Sequence, residues 1–255
     1  MLIDTHSHIY LPDFDEDRDQ MIQRAKDAGV SKIYMPNIDK DSIKQVYDTE
    51  IKFPDMCFAM MGLHPCSVKE TFQEELAIIE KEINSRKFVA IGEIGLDYYW
   101  DKTFTAQQKE AFIRQINWAK DLDIPIVIHS RDSTEDVIEI IRKEKTDKLR
   151  GIFHCFGGTV EDANKITDLE FLLGIGGVLT YKKSGLDATL ANVDIKHIVL
   201  ETDAPYLTPV PFRGKRNEPS YITYVAQRLS EVLDISIEKV QNITSHNAEK
   251  LFQPK

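Results

Sequence analysis

Two histidines stand two residues apart in the opening segment Ile3-Asp4-Thr5-His6-Ser7-His8. In an extended chain alternate side chains share a face, so His6 and His8 can reach one metal ion together. Leu2 and Ile3 before the pair and Pro12 after it predict a short strand ending just past the histidines. A pair of histidines near a terminus can also be unrelated, so the remaining donors decide. His64 lies in Gly62-Leu63-His64-Pro65, Glu93 in Ile91-Gly92-Glu93-Ile94-Gly95-Leu96-Asp97, and His129 in Ile126-Val127-Ile128-His129-Ser130. His154 lies in Ile152-Phe153-His154-Cys155 and Asp203 in Leu200-Glu201-Thr202-Asp203-Ala204-Pro205. Each donor follows a short apolar run.

Four imidazoles (His6, His8, His129, His154) and two carboxylates (Glu93, Asp203) suffice for two divalent ions. Glu93 is the natural bridge, because one carboxylate can give an oxygen to each metal. His6, His8 and Asp203 then serve one ion, and His129 and His154 the other. Nitrogen and oxygen donors without thiolate suit Zn, Mn, Co or Ni, with Mg a poorer fit. A water between two such ions would be acidified and act as a nucleophile, with Asp203 orienting or deprotonating it.

The elements that must position these donors follow from the apolar runs. Eight runs, at 2–5, 33–36, 57–62, 88–92, 125–128, 151–153, 171–175 and 198–200, are short and almost wholly apolar, as strands buried on both faces are. Amphipathic stretches alternate with them. The periodicity predicts helices over 15–28, 73–85, 105–122, 133–144 and 220–233, with an additional C-terminal helix over 236–252. Eight strand–helix units in 255 residues predict an α/β fold of the (β/α)8 TIM-barrel kind. No linker, repeat or low-complexity tract divides residues 1–255, which predicts one domain. An open doubly wound sheet is the alternative, but no Gly-x-Gly-x-x-Gly follows the first strand. In a barrel the C-terminal strand ends converge on one rim, and all six donors sit at such ends.

Composition narrows the partners. The formal net charge of −10 argues against general binding of long duplex DNA, which depends on Lys and Arg. Three cysteines, Cys57, Cys66 and Cys155, without zinc-ribbon spacing, point to a reducing, cytoplasmic setting. No signal peptide is evident. The longest apolar run, 171–179, is too short for a membrane span.

His-x-His, Gly-Glu-Ile-Gly-Leu-Asp-Tyr, His-Ser-Arg, His-Cys-Phe-Gly-Gly and Glu-Thr-Asp-Ala-Pro-Tyr, in this order from His6 onward, resemble the signatures of the TatD-type metal-dependent deoxyribonucleases, which belong to the amidohydrolase-like barrels. The resemblance implies ligands at His6, His8, Glu93, His129, His154 and Asp203. It also implies hydrolysis of DNA phosphodiesters, from the 3′ end of single strands or frayed ends. No obligate protein partner is evident.

Substrate contacts are less determined. Arg213, in a cationic loop with Lys215 and Arg216, resembles the family's Arg-Gly-Lys-Arg-Asn-Glu-Pro loop and is expected to clamp a phosphate. Tyr98, Tyr99 and Trp100 either stack on bases or pack beneath their loop. His64 contacts phosphate, holds a water, or is structural. Arg131 pairs with Glu93 or with phosphate. Glu201, two residues before Asp203, is expected to orient a ligand. Asp4 is expected to be buried and hydrogen-bonded, and alternation is expected to turn Cys155 away from the cavity. The rival chemistry is an amidohydrolase acting on a cyclic amide, a lactone or a nucleobase. Many binuclear relatives bridge with a carbamylated lysine, whereas this chain has Glu93. A non-catalytic metal protein is the remaining alternative.

Overall fold

A computed structural model describes residues 1–253. Its strands are β1 (Leu2–Asp4), β2 (Val30–Met35), β3 (Cys57–Ala59), β4 (Ile91–Asp97), β5 (Ile126–Arg131), β6 (Gly151–Phe153), β7 (Leu172–Ile175) and β8 (Ile198–Leu200). Every neighbouring pair is parallel and in sequence order, as a β1-β2-β3 sheet and a β4-β5-β6-β7-β8 sheet. Two contacts close the ring. A parallel bridge between Met61 and Ile91 joins the end of β3 to β4. The Thr5 amide donates to Leu200 O at 3.0 Å, which joins β1 to β8. The result is a (β/α)8 barrel.

The helices are α1 (Arg18–Asp27), α2 (Ile43–Lys52), α3 (Phe72–Ser85), α4 (Thr105–Leu122), α5 (Thr134–Glu144), α6 (Val160–Asp168), α7 (Leu186–Leu190), α8 (Ile222–Leu233) and α9 (Ile237–Phe252). Of these, α2, α6 and α7 were not singled out by periodicity. In α6 the start is fixed by a reciprocal cap: the Asp162 amide donates to Thr159 Oγ1, and the Thr159 amide to Asp162 Oδ2. Only five residues long, α7 is too short to display a period. None of the described helices is long and apolar enough to cross a membrane.

Two apolar layers hold the ring. Outward residues such as Leu2, Ile33, Ile126 and Ile128 join the helices in one cluster. Inward residues Ile3, Tyr34, Met60, Ala90, Val127, Ile152 and Val199 form a second cluster with Ala248, Leu251 and Phe252 of α9. The C-terminal helix is thus a plug packed on the barrel's inner layer, and Phe252 stacks on Tyr34 with ring centroids 3.9 Å apart. The site residues follow from the same alternation. Val127 and His129, Ile152 and His154, and Val199, Glu201 and Asp203 are two-residue steps along one strand face.

One strand departs from expectation. The run 88–92 was expected to end just before Glu93, but β4 begins at Ile91 and continues to Asp97. Glu93 therefore lies inside a strand buried at every position. Glycine makes this possible. Gly95 has φ +143°, and a Cβ there would stand 2.0 Å from His129 O. Without a side chain at 95, β4 can run tight against β5 past the expected end.

Candidate metal centre

The structure brings the six expected donors together around Glu93. Its Oε2 faces His6 Nε2 at 3.2 Å and His8 Nε2 at 3.5 Å. Its Oε1 faces His129 Nδ1 at 2.9 Å and His154 Nε2 at 3.4 Å. Asp203 Oδ1 lies 3.6 Å from His6 Nε2 and 3.5 Å from His8 Nε2. Glu93 thus stands between two groups of donors, with one oxygen towards each. Asp203 reaches its place from a left-handed backbone, φ 55°, and its amide donates to His6 O at 2.9 Å.

Neighbours settle which ring nitrogen faces inward. The Tyr10 hydroxyl donates to Pro36 O at 2.7 Å and so accepts from His8 Nδ1 at 2.9 Å. The His8 proton is on Nδ1, and the Nε2 lone pair faces the centre. His154 Nδ1 donates to Glu201 Oε1 at 3.1 Å, which likewise frees its Nε2. In His129 the Nε2 donates to Asp97 Oδ2 at 2.8 Å, leaving Nδ1 inward. Such partners fix ring orientation and raise ligand basicity. His64 differs. Its Nδ1 accepts from the Cys66 amide at 3.0 Å, so the neutral ring carries its proton on Nε2, 3.3 Å from Glu93 Oε1. His64, Glu93 and His129 have ligand-like spacing. Because its inward nitrogen bears the proton, His64 is a hydrogen-bond donor here rather than a ligand.

His6 and His8 present Nε2 atoms 3.1 Å apart. With its proton on Nε2, His6 donates across this gap; with that proton gone, two ring nitrogens and two carboxylates face one point and form a pocket for a cation. His6 Nδ1 is buried with no hydrogen-bond partner. The donor set, all nitrogen and oxygen, fits divalent transition ions.

Without an ion at the centre, the acids draw protons onto the rings instead. Burial pulls His8 down, but Asp203 and Glu93 overcome it and push it up to about 9. Burial also opposes charge on His154, yet Glu201 and Glu93 raise it to about 10. Burial and the nearby His154 keep His6 low. For Glu93 burial acts upward, and His64, His6 and His154 together hold the carboxyl well below its usual range. The acids thus create a potential that retains positive charge at this point.

Around the cluster is a cavity of about 690 Å³, lined by His64, Glu93, His129, His154, Asp203 and, at its mouth, Trp100, among others. Cys155 lines it too, contrary to expectation. The chain turns left-handed at Cys155 (φ 49°), which breaks the alternation and leaves adjacent residues 154 and 155 on the same cavity. Arg131 also lines the cavity. It does not pair with Glu93; its Cζ lies 3.9 Å from the Tyr99 ring centroid. Tyr98 is not among the lining residues, and its hydroxyl donates to Asp136 at 2.7 Å. Arg213 is exposed, also outside the lining, with its Cζ 4.2 Å from the Tyr181 ring centroid. Arg216 is bound to Asp17. Glu201 and Asp4 are both fully buried. Asp4 Oδ1 accepts from the Thr202 amide at 2.9 Å and its Oδ2 from the Thr202 hydroxyl at 2.5 Å, tying β1 to β8 beneath the cluster.

Sequence reasoning missed Asp97. Its Oδ2 accepts from His129 and its Oδ1 from the Tyr99 and Trp100 amides, each at 3.0 Å. The signal was present in the spacing: Glu93, Gly95 and Asp97 alternate along one strand.

The model of the family described as TatD related DNase matches residues 3–253. The chain belongs to the TatD family. It is 40% identical over 254 residues to a Bacillus subtilis protein named as an uncharacterized metal-dependent hydrolase, YabD, covering 99% of each chain. It is 29% identical over 246 residues to a Pectobacterium parmentieri protein named as the 3'-5' ssDNA/RNA exonuclease TatD, covering 94% of this chain and 95% of that one. The crystal structure of the TatD homolog YjjV from Escherichia coli superposes with a TM-score of 0.93 at 28% identity, covering 100% of this chain and 98% of the other. This TatD-family chain is therefore a metal-dependent hydrolase built on the family's barrel.

Proposed function

We propose that the chain is a deoxyribonuclease that uses two divalent ions to remove nucleotides from the 3′ end of single-stranded or frayed DNA. The observation that carries the reading is the facing pair of Nε2 atoms of His6 and His8, 3.1 Å apart beside Glu93 and Asp203 in an open cavity. The name of the Pectobacterium relative supports the substrate class.

His6, His8, Asp203 and Oε2 of Glu93 would hold one ion, and His129, His154 and Oε1 of Glu93 the other. When bound, such ions supply charge to the phosphate oxygens and acidify water. The residues supply the rest. Asp203 faces the cavity more than Glu93 does, its side chain 13% exposed against 3%, and it takes the proton of the attacking water. Attack at phosphorus breaks the bond to the 3′-oxygen, which leaves with a proton as a new 3′-hydroxyl. The other product is a nucleoside 5′-phosphate. His64 donates from Nε2 and keeps Glu93 in position. Glu201 and Asp97 hold His154 and His129 in the tautomers described. Six separated residues acting from a rigid barrel rim need no rearrangement at the moment of reaction.

The test is digestion of a 5′-labelled single strand by protein stripped with a chelator and reloaded separately with Mn, Zn, Co, Ni or Mg. The expected result is a ladder shortened from the 3′ end, lost on chelation and in His129→Ala. A metal-loaded protein that leaves every strand intact yet opens a lactone or a cyclic amide would overturn the reading.

A further inference from the structure

At the mouth of the cavity the loop after β4 carries two large exposed rings, Tyr99 at 54% and Trp100 at 69%. They contribute little to the core. Beside them Arg131 lines the same cavity as the metal cluster, its Cζ 3.9 Å from the Tyr99 centroid and 5.4 Å from that of Trp100. The two rings meet edge to face, with centroids 4.9 Å apart and planes at 87°. Among the described residues Arg131 is the one Lys or Arg lining a cavity whose lining also includes Glu93, Asp97 and Asp203. Among the described residues no carboxylate lies within 4.0 Å of it, although most of the other arginines are in ion pairs.

The loop is not free to drift. Oδ1 of Asp97 accepts from the Tyr99 and Trp100 amides, while Oδ2 of the same carboxylate accepts from His129 Nε2. One side chain thus fixes the position of the rings relative to the metal cluster. Val178, Tyr206 and Leu207 also line the cavity.

We propose that Trp100, Tyr99 and Arg131 form a subsite for the unpaired nucleotide beside the scissile phosphate, with the base on the Trp100 ring and the flanking phosphate on the Arg131 guanidinium. This rests on the nuclease reading above and adds what selects the strand. A planar ring accepts any base, so the subsite is tolerant of sequence. A base in duplex is paired and stacked on its neighbours, and laying it on Trp100 costs that pairing, so the subsite favours single strands and frayed ends. Arg131, already held by cation–π contact with the rings, meets phosphate with its planar fork and no acid to displace.

Two measurements decide the proposal. The first compares kcat/KM for strands whose 3′-terminal residues carry bases with strands abasic there. The wild-type protein should prefer the base-bearing strand by about fivefold or more. In Trp100→Ala that preference should collapse to near unity. In Arg131→Gln the base preference should persist, while the dependence of log affinity on log salt should fall by about 0.7, the contribution of one single-strand phosphate contact. An equal preference in wild type and Trp100→Ala would overturn the subsite while leaving the nuclease reading intact. The second measurement is tryptophan fluorescence during titration with an oligothymidylate bearing non-hydrolysable linkages. Quenching is expected in wild type, is lost in Trp100→Phe, and is weak with a blunt duplex. Should the protein cleave no strand at all, the nuclease reading fails, and this titration still decides the subsite. Quenching retained in Trp100→Phe, or equal for strand and duplex, would sink it.

Discussion

At the level of single residues, the centre depends on which nitrogen of each imidazole holds the proton. Tyr10, Glu201 and Asp97 each occupy the outer nitrogen of a different ring, His8, His154 and His129. Deleting one of them should loosen a ligand without removing it. Asp203 has a separate task because it contacts two histidines and is more exposed to the cavity than Glu93. Asp203→Asn preserves shape and removes the basic oxygen. It should leave the melting profile of the chelator-stripped protein close to wild type and lower turnover of a single strand by about a hundredfold or more. Near-normal turnover would remove Asp203 from proton transfer. His64 is placed differently by the same reasoning: the Cys66 amide at its outer nitrogen makes it a donor.

At the level of strands and loops, the site depends on backbones that approach unusually closely. In β7 a Cβ added at Gly174 would stand 2.2 Å from Glu201 Oε2. Gly174→Ala must therefore displace the carboxylate that orients His154. It should destabilise the fold by about 1–3 kcal/mol in urea unfolding and weaken metal affinity as well, because overpacking here acts directly on a ligand's support. A variant with lowered stability and unchanged metal affinity would show that Glu201 is dispensable. This is also where the sequence stopped being legible. Apolar runs and their spacing announced the barrel, and the residues ending those runs announced the donors. Period-two reasoning extends only as far as regular backbone does. It failed at Cys155, where a left-handed φ turns the chain, and at β4, where Gly95 lets the strand continue past Glu93. The place of the cationic loop after β8 was not legible for another reason. Position after β8 and resemblance marked Arg213 as a clamp; folding shows that it stacks on Tyr181, outside the cavity lining, while Arg131 from β5 stands in it.

Across the whole molecule, contacts distant in sequence do the joining. Arg216 and Arg24 converge on Asp17, and Arg24 also grips Glu218, so the loop following β8 is fastened to α1. Hydrogen bonds from Arg216, with help from Arg24 and against a modest effect of burial, hold the Asp17 carboxyl down at about 2 from an ordinary 3.8. A depressed carboxyl stabilises the fold above its unfolded-state value and ceases to do so as pH falls through the folded value. The side chain is 31% exposed, so solvent screening limits the effect to about 1 kcal/mol. Asp17→Asn should therefore be less stable than wild type by about that amount at neutral pH, and the gap should close between about pH 4 and pH 2. A gap independent of pH would assign the difference to packing. The seam between β1 and β8 has a consequence of another kind. Thr5 bonds to Leu200 across 195 positions of chain, and His6 and His8 find Asp203 only through that seam. During synthesis the first histidines leave the ribosome long before their acid does. A chain stalled before β8 would carry no competent centre, and hydrolysis would begin only once translation is nearly finished.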